Sequence, residues 1–284
     1  MAALKFKKPE IKQQRLKAMF YGEMGTGKST CASQFPYTAY IDTEDTASKK
    51  KYAQLITDNH GEVTKSGDID EIIDTVKWLM SAKHNYKTLV IDSLTIPYEN
   101  AVIDGERRLG SDFGRGSADA KKKAKLLVNL LLKLDMNVVI TCQAKKEYAG
   151  NMNVVGQTYN CYDRLGYMFD LVFETQVRGD EHVAITKKSR LEEFPMRETF
   201  KFNYAEVIKR MGIDNIEKEV STQELASEKQ ISEVKRLVDL FKISEETCIK
   251  WLEKHQAEEW EELNSEVIQK IIDHLLSKIK DDAA

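Results

Sequence analysis

The 284-residue sequence has only four cysteines, Cys31, Cys142, Cys161 and Cys248, widely separated and without a CxxC pair. That spacing argues against a zinc ribbon or a disulfide framework and leaves reduced, mostly buried thiols. Its five histidines (His60, His84, His182, His255, His274) are equally scattered and show no HxxxH spacing, so no histidine metal motif is present. No apolar run approaches the roughly eighteen residues of a membrane-spanning helix. The first residues, MAALKFKKPEIKQQRLK, are basic but lack the apolar core of a signal peptide, so a cytosolic protein is expected. An excess of one charge is missing too. With 43 Lys and Arg against 46 Asp and Glu the net charge is −3, so any nucleic-acid contact must come from local basic surface.

What is present is the material of a globular α/β protein, 42% apolar and 31% charged. Residues 17–21 (KAMFY) read as a strand running into a glycine-rich turn, and 38–42 (TAYID) as a second strand. Ile69, Ile72, Ile73, Val76, Leu79 and Met80 recur at helical spacing, which predicts a helix over 69–82. TLVID at 88–92 and NVVITCQ at 137–143 are compact apolar runs of strand length, with a leucine-rich helix (Leu126–Leu134) between them. Strands buried on both faces and alternating with helices predict a mostly parallel sheet covered on both sides. Further strands at 169–175, 182–187 and 198–203 have no helices between them and are expected to pair antiparallel at one end.

After about residue 205 the composition becomes charged and helical. Ile231, Val234, Leu237, Val238 and Phe241 form one apolar stripe; Val267, Ile268, Ile271, Ile272, Leu275, Leu276 and Ile279 form another. Helix starts are expected at Ser244 and Asn264. The expected organisation is a P-loop domain over 1–205, a polar linker over 206–226, and a small helical domain of three helices over 227–284.

Gly22-Glu23-Met24-Gly25-Thr26-Gly27-Lys28-Ser29 matches GxxxxGK[ST], follows a predicted strand and opens a predicted helix. Glycines at these positions let backbone N–H groups turn inward on phosphates. The expected cradle for ATP is residues 22–29 with Thr30, Lys28 reaching the β- and γ-phosphates and Ser29 giving its hydroxyl to Mg²⁺. Asp92, at the end of TLVID, is the expected second partner of the metal. An ATPase also needs a carboxylate to position or deprotonate water. Ring ATPases often place a glutamate directly after the metal aspartate, but here that residue is Ser93. Glu44, two residues beyond the second strand in AYIDTED, is the candidate, with Asp42 and Asp45 as local rivals.

Taken together, GEMGTGKS, AYIDTED, TLVIDS and VVITCQ resemble the RecA-like ATPases, and in particular phage P-loop proteins of the Sak type linked to single-strand annealing recombination. The resemblance covers roughly residues 15–203. It implies a RecA-like P-loop ATPase, Glu44 as the catalytic glutamate and Gln143 as the residue sensing the γ-phosphate. It implies a phage protein in the bacterial cytoplasm that binds single-stranded DNA and forms a homo-oligomer with ATP between subunits. From their surface, the C-terminal helices are expected to recruit a partner, a single-strand-binding, annealing or replication protein. The polymerisation domain of bacterial RecA has no counterpart here, so a long filament is not expected.

In such proteins the segments after the Asp92-type and Gln143-type strands face DNA. The first, about 104–125, holds Arg107, Arg108, Arg115, Lys121, Lys122, Lys123 and Lys125, and its Gly110, Gly114 and Gly116 suggest a mobile loop. The second, about 144–167, interleaves Lys145, Lys146 and Arg164 with Tyr148, Tyr159, Tyr162 and Tyr167. Cations that neutralise phosphates beside rings that stack on bases suit single strands of any sequence. The competing reading is a solvated helix face and tyrosines at the edge of the core. Lys187, Lys188 and Arg190 are expected either to reach a neighbouring subunit's ATP or to form an ordinary basic edge strand. Two other function classes stay open at this point: a nucleotide switch recruiting replication partners without turnover, and a nucleoside or nucleotide kinase.

Overall fold

The computed structural model describes residues 15–109, 114–149 and 153–281. The basic stretch 1–14, and Gly110 and Asp112 of the first expected DNA segment, lie outside them.

Among the described residues nine strands form the sheet: β1 (Lys17–Gly22), β2 (Thr38–Asp42), β3 (Glu62–Lys65), β4 (Thr88–Asp92), β5 (Asn137–Ala149), β6 (Asn153–Tyr159), β7 (Leu171–Arg178), β8 (Glu181–Ser189) and β9 (Thr199–Lys201). Their order is β3-β2-β4-β5-β1-β7-β8-β9, with β6 paired only to β5. The first six in that order run parallel, and β8 and β9 close the sheet antiparallel, as expected. Because side chains alternate along a strand, each central strand feeds two cores. Met19 and Tyr21 of β1, Leu89 and Ile91 of β4, and Val138 and Ile140 of β5 point to one. Ala18, Phe20, Val90 and Val139 point to the other. This is why those segments read as unbroken apolar runs.

On the first face pack α3 (Ile69–Ser81), α4 (Thr95–Leu109) and α5 (Arg115–Lys133). The start of α3 is set by Asp68, whose carboxylate accepts from the amide of Asp70 at 2.7 Å. The end of α5 is held by Lys17. Its buried ammonium donates to the carbonyls of Leu131, Leu134 and Met136 at 2.7, 2.7 and 2.9 Å. On the second face lie α1 (Lys28–Ala32) and α2 (Lys50–Asp58).

Several elements differ from the sequence-based expectation. The segment 104–125 is not a mobile loop: apart from the undescribed tip, it is the end of α4 and the start of α5. Gly116 is a close helix crossing, since a Cβ on Gly105 would lie 2.6 Å from the Gly116 carbonyl oxygen. Glycine there reports tight packing, the opposite of mobility. Most of 144–167 is likewise ordered, as the β5–β6 hairpin followed by α6 (Leu165–Met168). The linker expected over 206–226 carries most of α7 (Tyr204–Met211) and all of α8 (Ile213–Ile216), which bury Val207 and Ile216 in the second core. β3 and α2 had no signal: β3 is a fully exposed edge strand of four residues.

The C-terminal region forms α9 (Glu228–Leu240), α10 (Glu245–Lys254) and α11 (Ser265–Asp281) around a separate core of Val234, Leu237, Leu252, Trp260, Ile268 and Leu275. The side chain of Ile279 lies outside the described ones. Ser227 and Ser244 cap α9 and α10, and the Asn264 side chain accepts from the Glu266 amide at 2.7 Å at the start of α11. The turn between α10 and α11 is pinned to α5 by Lys122–Glu259 (3.1 Å), Lys125–Glu258 and Lys133–Glu262 (2.6 Å), with Glu262 buried.

Candidate functional site

Parallel pairing brings the C-terminal ends of β2, β4, β5, β1 and β7 to one edge of the sheet. Asp42 pairs with Asp92 in register, and Gly22 pairs with Gln143 on one side and Thr175 on the other. Everything that follows those strands therefore converges on one open cavity of about 770 Å³. It is lined by residues 22–30 together with Glu44, Asp92, Ser93, Thr141 and Gln143.

The glycines of the loop are there for distinct reasons. Gly25 and Gly27 have φ of 78° and 90°, a region disfavoured for residues with a side chain. Gly22 is instead a close approach: a Cβ there would sit 2.3 Å from the Thr175 carbonyl oxygen and 2.4 Å from its hydroxyl. Thr26 is buried and its hydroxyl meets that of Thr175 at 2.7 Å, fastening the loop to β7. Lys28 bends back over the loop and donates to the carbonyls of Gly22 (2.9 Å) and Glu23 (2.7 Å). Burial lowers its pKa, while the carboxylates of Asp92 and Glu44 push the other way and favour the charged form.

Asp92 is almost fully buried at the cavity floor. Tyr40 donates to its Oδ2 at 2.6 Å and Thr141 donates to its Oδ1. Burial raises the carboxyl pKa, and hydrogen bonds from Thr141, Tyr40 and Ser29 oppose that. Ser29 and Asp92 thus stand side by side, a hydroxyl and an oriented carboxylate. This all-oxygen pair suits Mg²⁺, which takes few protein ligands and keeps water and phosphate oxygens for the rest. Sequence reasoning gave no role to Tyr40 within AYIDTED or to Thr141 within VVITCQ; they reach Asp92 because their strands flank β4.

Glu44 sits at the other rim. Its Oε1 accepts from Ser93 Oγ at 2.6 Å and from Gln143 Nε2 at 2.9 Å. The peptide joining Asp92 to Ser93 is cis. The two rivals of Glu44 are occupied elsewhere. Asp42 is buried and accepts from the amides of Glu44, Thr46 and Ala47, so it shapes the loop that presents Glu44. Asp45 points outward to Lys65. The carboxylate thus reaches the site from the end of β2, while the position after Asp92 supplies a hydroxyl that holds it.

Further lining residues had no sequence signal: Thr46, Lys49, Lys51, Tyr52 and His182. The His182 ring lies over Gly27, 3.4 Å from where a Cβ would be. It arrives through antiparallel pairing of β8 with β7, a register no local motif encodes. Lys51 donates to Thr30 Oγ1 at 3.1 Å.

The expected DNA-facing residues separate into groups. Lys145, Lys146 and Tyr148 project from the exposed β5–β6 hairpin, directly beyond Gln143 on the same strand. Gln157 of that hairpin donates to Glu23 of the phosphate loop at 2.5 Å. Lys121, Lys122, Lys125 and Arg164 line a second cavity shared with Glu258, Glu259 and Glu262. Lys122 and Lys125 are ion-paired there, and Lys123 pairs with Asp70 at 2.5 Å. At the end of α4, Arg107 pairs with Asp104 and Arg108 with Asp119, and exposed Arg115 opens α5. Tyr159 and Tyr162 belong to the core or its edge, the blander of the two readings, whereas Tyr148 and Tyr167 are exposed. Lys187 pairs with Glu174 at 2.9 Å, Lys188 donates to the Tyr167 carbonyl and Arg190 pairs with Asp170. None of the three lines the chain's own phosphate cavity.

Among the described residues no helix is long and apolar enough to cross a membrane. No curated protein sequence matches the chain. A solved structure it is similar to is the "Crystal structure of the RadB recombinase", at 17% identity and a TM-score of 0.44, covering 66% of this chain and 87% of that one. A likeness of that size says nothing about chemistry. Residues 14–193 match the family model AAA_24, an AAA domain. That stretch is well over half of the sequence and contains the phosphate loop, Glu44, Asp92 and Gln143, so the chain belongs to this AAA-domain family.

Proposed function

We propose that the protein is a Mg²⁺-dependent ATPase that binds single-stranded DNA and assists annealing or strand pairing in recombination. The observation that carries this reading is one continuous structure: Gln143 touches Glu44 inside the phosphate cavity, and the same strand continues outward into the hairpin bearing Lys145, Lys146 and Tyr148. The RecA-like resemblance of the motifs and the AAA-domain family membership support the ATPase half.

In this reading the triphosphate of ATP lies in the loop of residues 22–30, and Lys28 exchanges its carbonyl partners for β- and γ-phosphate oxygens. Ser29 and Asp92 would hold a Mg²⁺, which would offset the negative charge of the phosphates. Glu44, steadied by Ser93, accepts a proton from the attacking water as its oxygen bonds to the γ-phosphorus. The bond from that phosphorus to the β–γ bridging oxygen breaks, releasing ADP and phosphate. Lys145 and Lys146 neutralise strand phosphates and Tyr148 stacks on bases. In an oligomer with ATP between subunits, Lys187 and Lys188 act in trans on the neighbour's nucleotide, Lys187 leaving Glu174 to do so. A single-strand-binding or annealing protein is the partner class this reading implies.

The test is steady-state ATP hydrolysis with and without a single-stranded oligonucleotide, on wild type and on the triple variant Lys145→Ala, Lys146→Ala, Tyr148→Ala. Stimulation by DNA that disappears in the triple variant, with basal hydrolysis retained, supports the proposal. Hydrolysis by wild type that is indifferent to DNA refutes its DNA half.

A further inference from the structure

At the far end of the chain, α10 and α11 leave between them a groove of about 270 Å³. Its lining comes from two periodic stripes. Trp251, Lys254 and His255 lie on one face of α10 and its C-terminus, spaced i, i+3, i+4. Val267, Lys270, Ile271 and His274 lie on one face of α11, spaced i, i+3, i+4, i+7. Trp251, Val267 and Ile271 are half-buried and form an apolar floor packed against the C-terminal core. Lys254, His255, Lys270 and His274 are exposed around it.

Two properties set this groove apart from ordinary surface. No lining residue is acidic, in a chain that carries a net charge of −3. Three other lysines beside the C-terminal unit are matched with carboxylates: Lys122 with Glu259, Lys125 with Glu258 and Lys235 with Glu261 (3.0 Å). Lys254 and Lys270 have no such partner among the described residues. Burial, followed by repulsion from Lys254 and Lys270, lowers the pKa of His255, so both cations lie close to that ring. An apolar floor with an unpaired cationic rim complements a segment that places an apolar side chain between carboxylates.

We propose that the α10–α11 groove is a docking site for an acidic protein segment carrying an apolar anchor. The anchor inserts between Trp251, Val267 and Ile271, and flanking carboxylates pair with Lys254 and Lys270. The site lies on its own core, away from the phosphate cavity, so it does not depend on the ATPase reading.

The experiment uses the full-length chain and a fluorescein-labelled peptide of interspersed Asp and Phe, followed by anisotropy. A peptide with Lys in place of Asp is the control. Wild type binds the Asp/Phe peptide and not the Lys/Phe one. The double variant Lys254→Glu, Lys270→Glu, which changes only exposed side chains, weakens binding about ten-fold or more. Trp251→Phe in otherwise wild-type chain removes the tryptophan fluorescence change that accompanies binding. Failure of wild type to bind the Asp/Phe peptide overturns the proposal, as does binding that the double reversal leaves unchanged. A third overturning result is loss of oligo-dT affinity in the double variant without peptide binding by wild type, which would make the groove a nucleic-acid surface.

Discussion

Replacing Glu44 by Gln isolates proton transfer from everything else the site does. The amide has the shape of the carboxylate and keeps an oxygen for Ser93 Oγ, now 2.6 Å from Oε1. It loses the negative charge and the basicity. General-base catalysis contributes roughly 10²–10⁴-fold to rate, about 3–5 kcal/mol of barrier. Glu44 makes no hydrogen bond to the phosphate loop; its contacts are Ser93, Gln143 and the Asp42-organised turn. The variant should therefore bind ATP with an affinity within about threefold of wild type while hydrolysing it at least about a hundredfold more slowly. Displacement of a fluorescent nucleotide gives the first quantity, and phosphate release measured by a coupled assay gives the second. Asp42→Asn is the informative companion. Asp42 accepts three loop amides, so its loss should disorder the presentation of Glu44 without removing it, and rate should fall less. A Glu44→Gln rate within about tenfold of wild type, or an affinity that falls in step with rate, would refute the assignment of Glu44 as proton acceptor.

Three further outcomes follow from the structure. Gly22→Ala would drive a Cβ to 2.3 Å from the Thr175 carbonyl oxygen, so β1 and β7 must separate; a loss of about 2–3 kcal/mol in denaturant unfolding is expected, with loss of nucleotide binding. Lys17→Met leaves three carbonyls at the end of α5 without their donor and should destabilise by about 1–3 kcal/mol. Burial pulls Lys17 down to about 7, so if the methionine variant unfolds at higher denaturant than wild type, charge burial outweighs the three hydrogen bonds. Asp135 is pushed up by burial but brought down to about 2 overall by hydrogen bonds from Arg15 and Ser221. A depressed carboxyl pKa means stability present above pH 3.8 and lost as pH falls toward 2; allowing for its partial exposure this is about 1–2 kcal/mol. Asp135→Asn should flatten that part of the acid limb of the stability curve.

The division between sequence and tertiary structure follows the range of the interactions. The phosphate loop, the helix α3 and the strands β1, β2, β4 and β5 were legible because local spacing alone specifies them: glycines at fixed offsets, a 3.6-residue apolar period, and apolar runs ending in an acid. The three C-terminal helices were legible for the same reason. The order of the motifs also implied that Glu44, Asp92 and Gln143 would meet, since parallel strands bring their C-terminal ends to one edge. Only the folded chain decided which acid of AYIDTED is presented, because Asp42 is consumed by its own turn and Asp45 by Lys65. Only it showed that Thr141 and His182 line the cavity and that Tyr40 holds Asp92 from behind, through neighbouring strands. In 104–125 the glycines misled, and the lysines were ambiguous, for the complementary reason. A glycine that permits a turn and a glycine that permits two helices to touch are the same letter, and a lysine facing water is the same letter as one facing Glu259 or Glu258. What distinguishes each pair is a partner distant in sequence, and that partner exists only after the chain has folded.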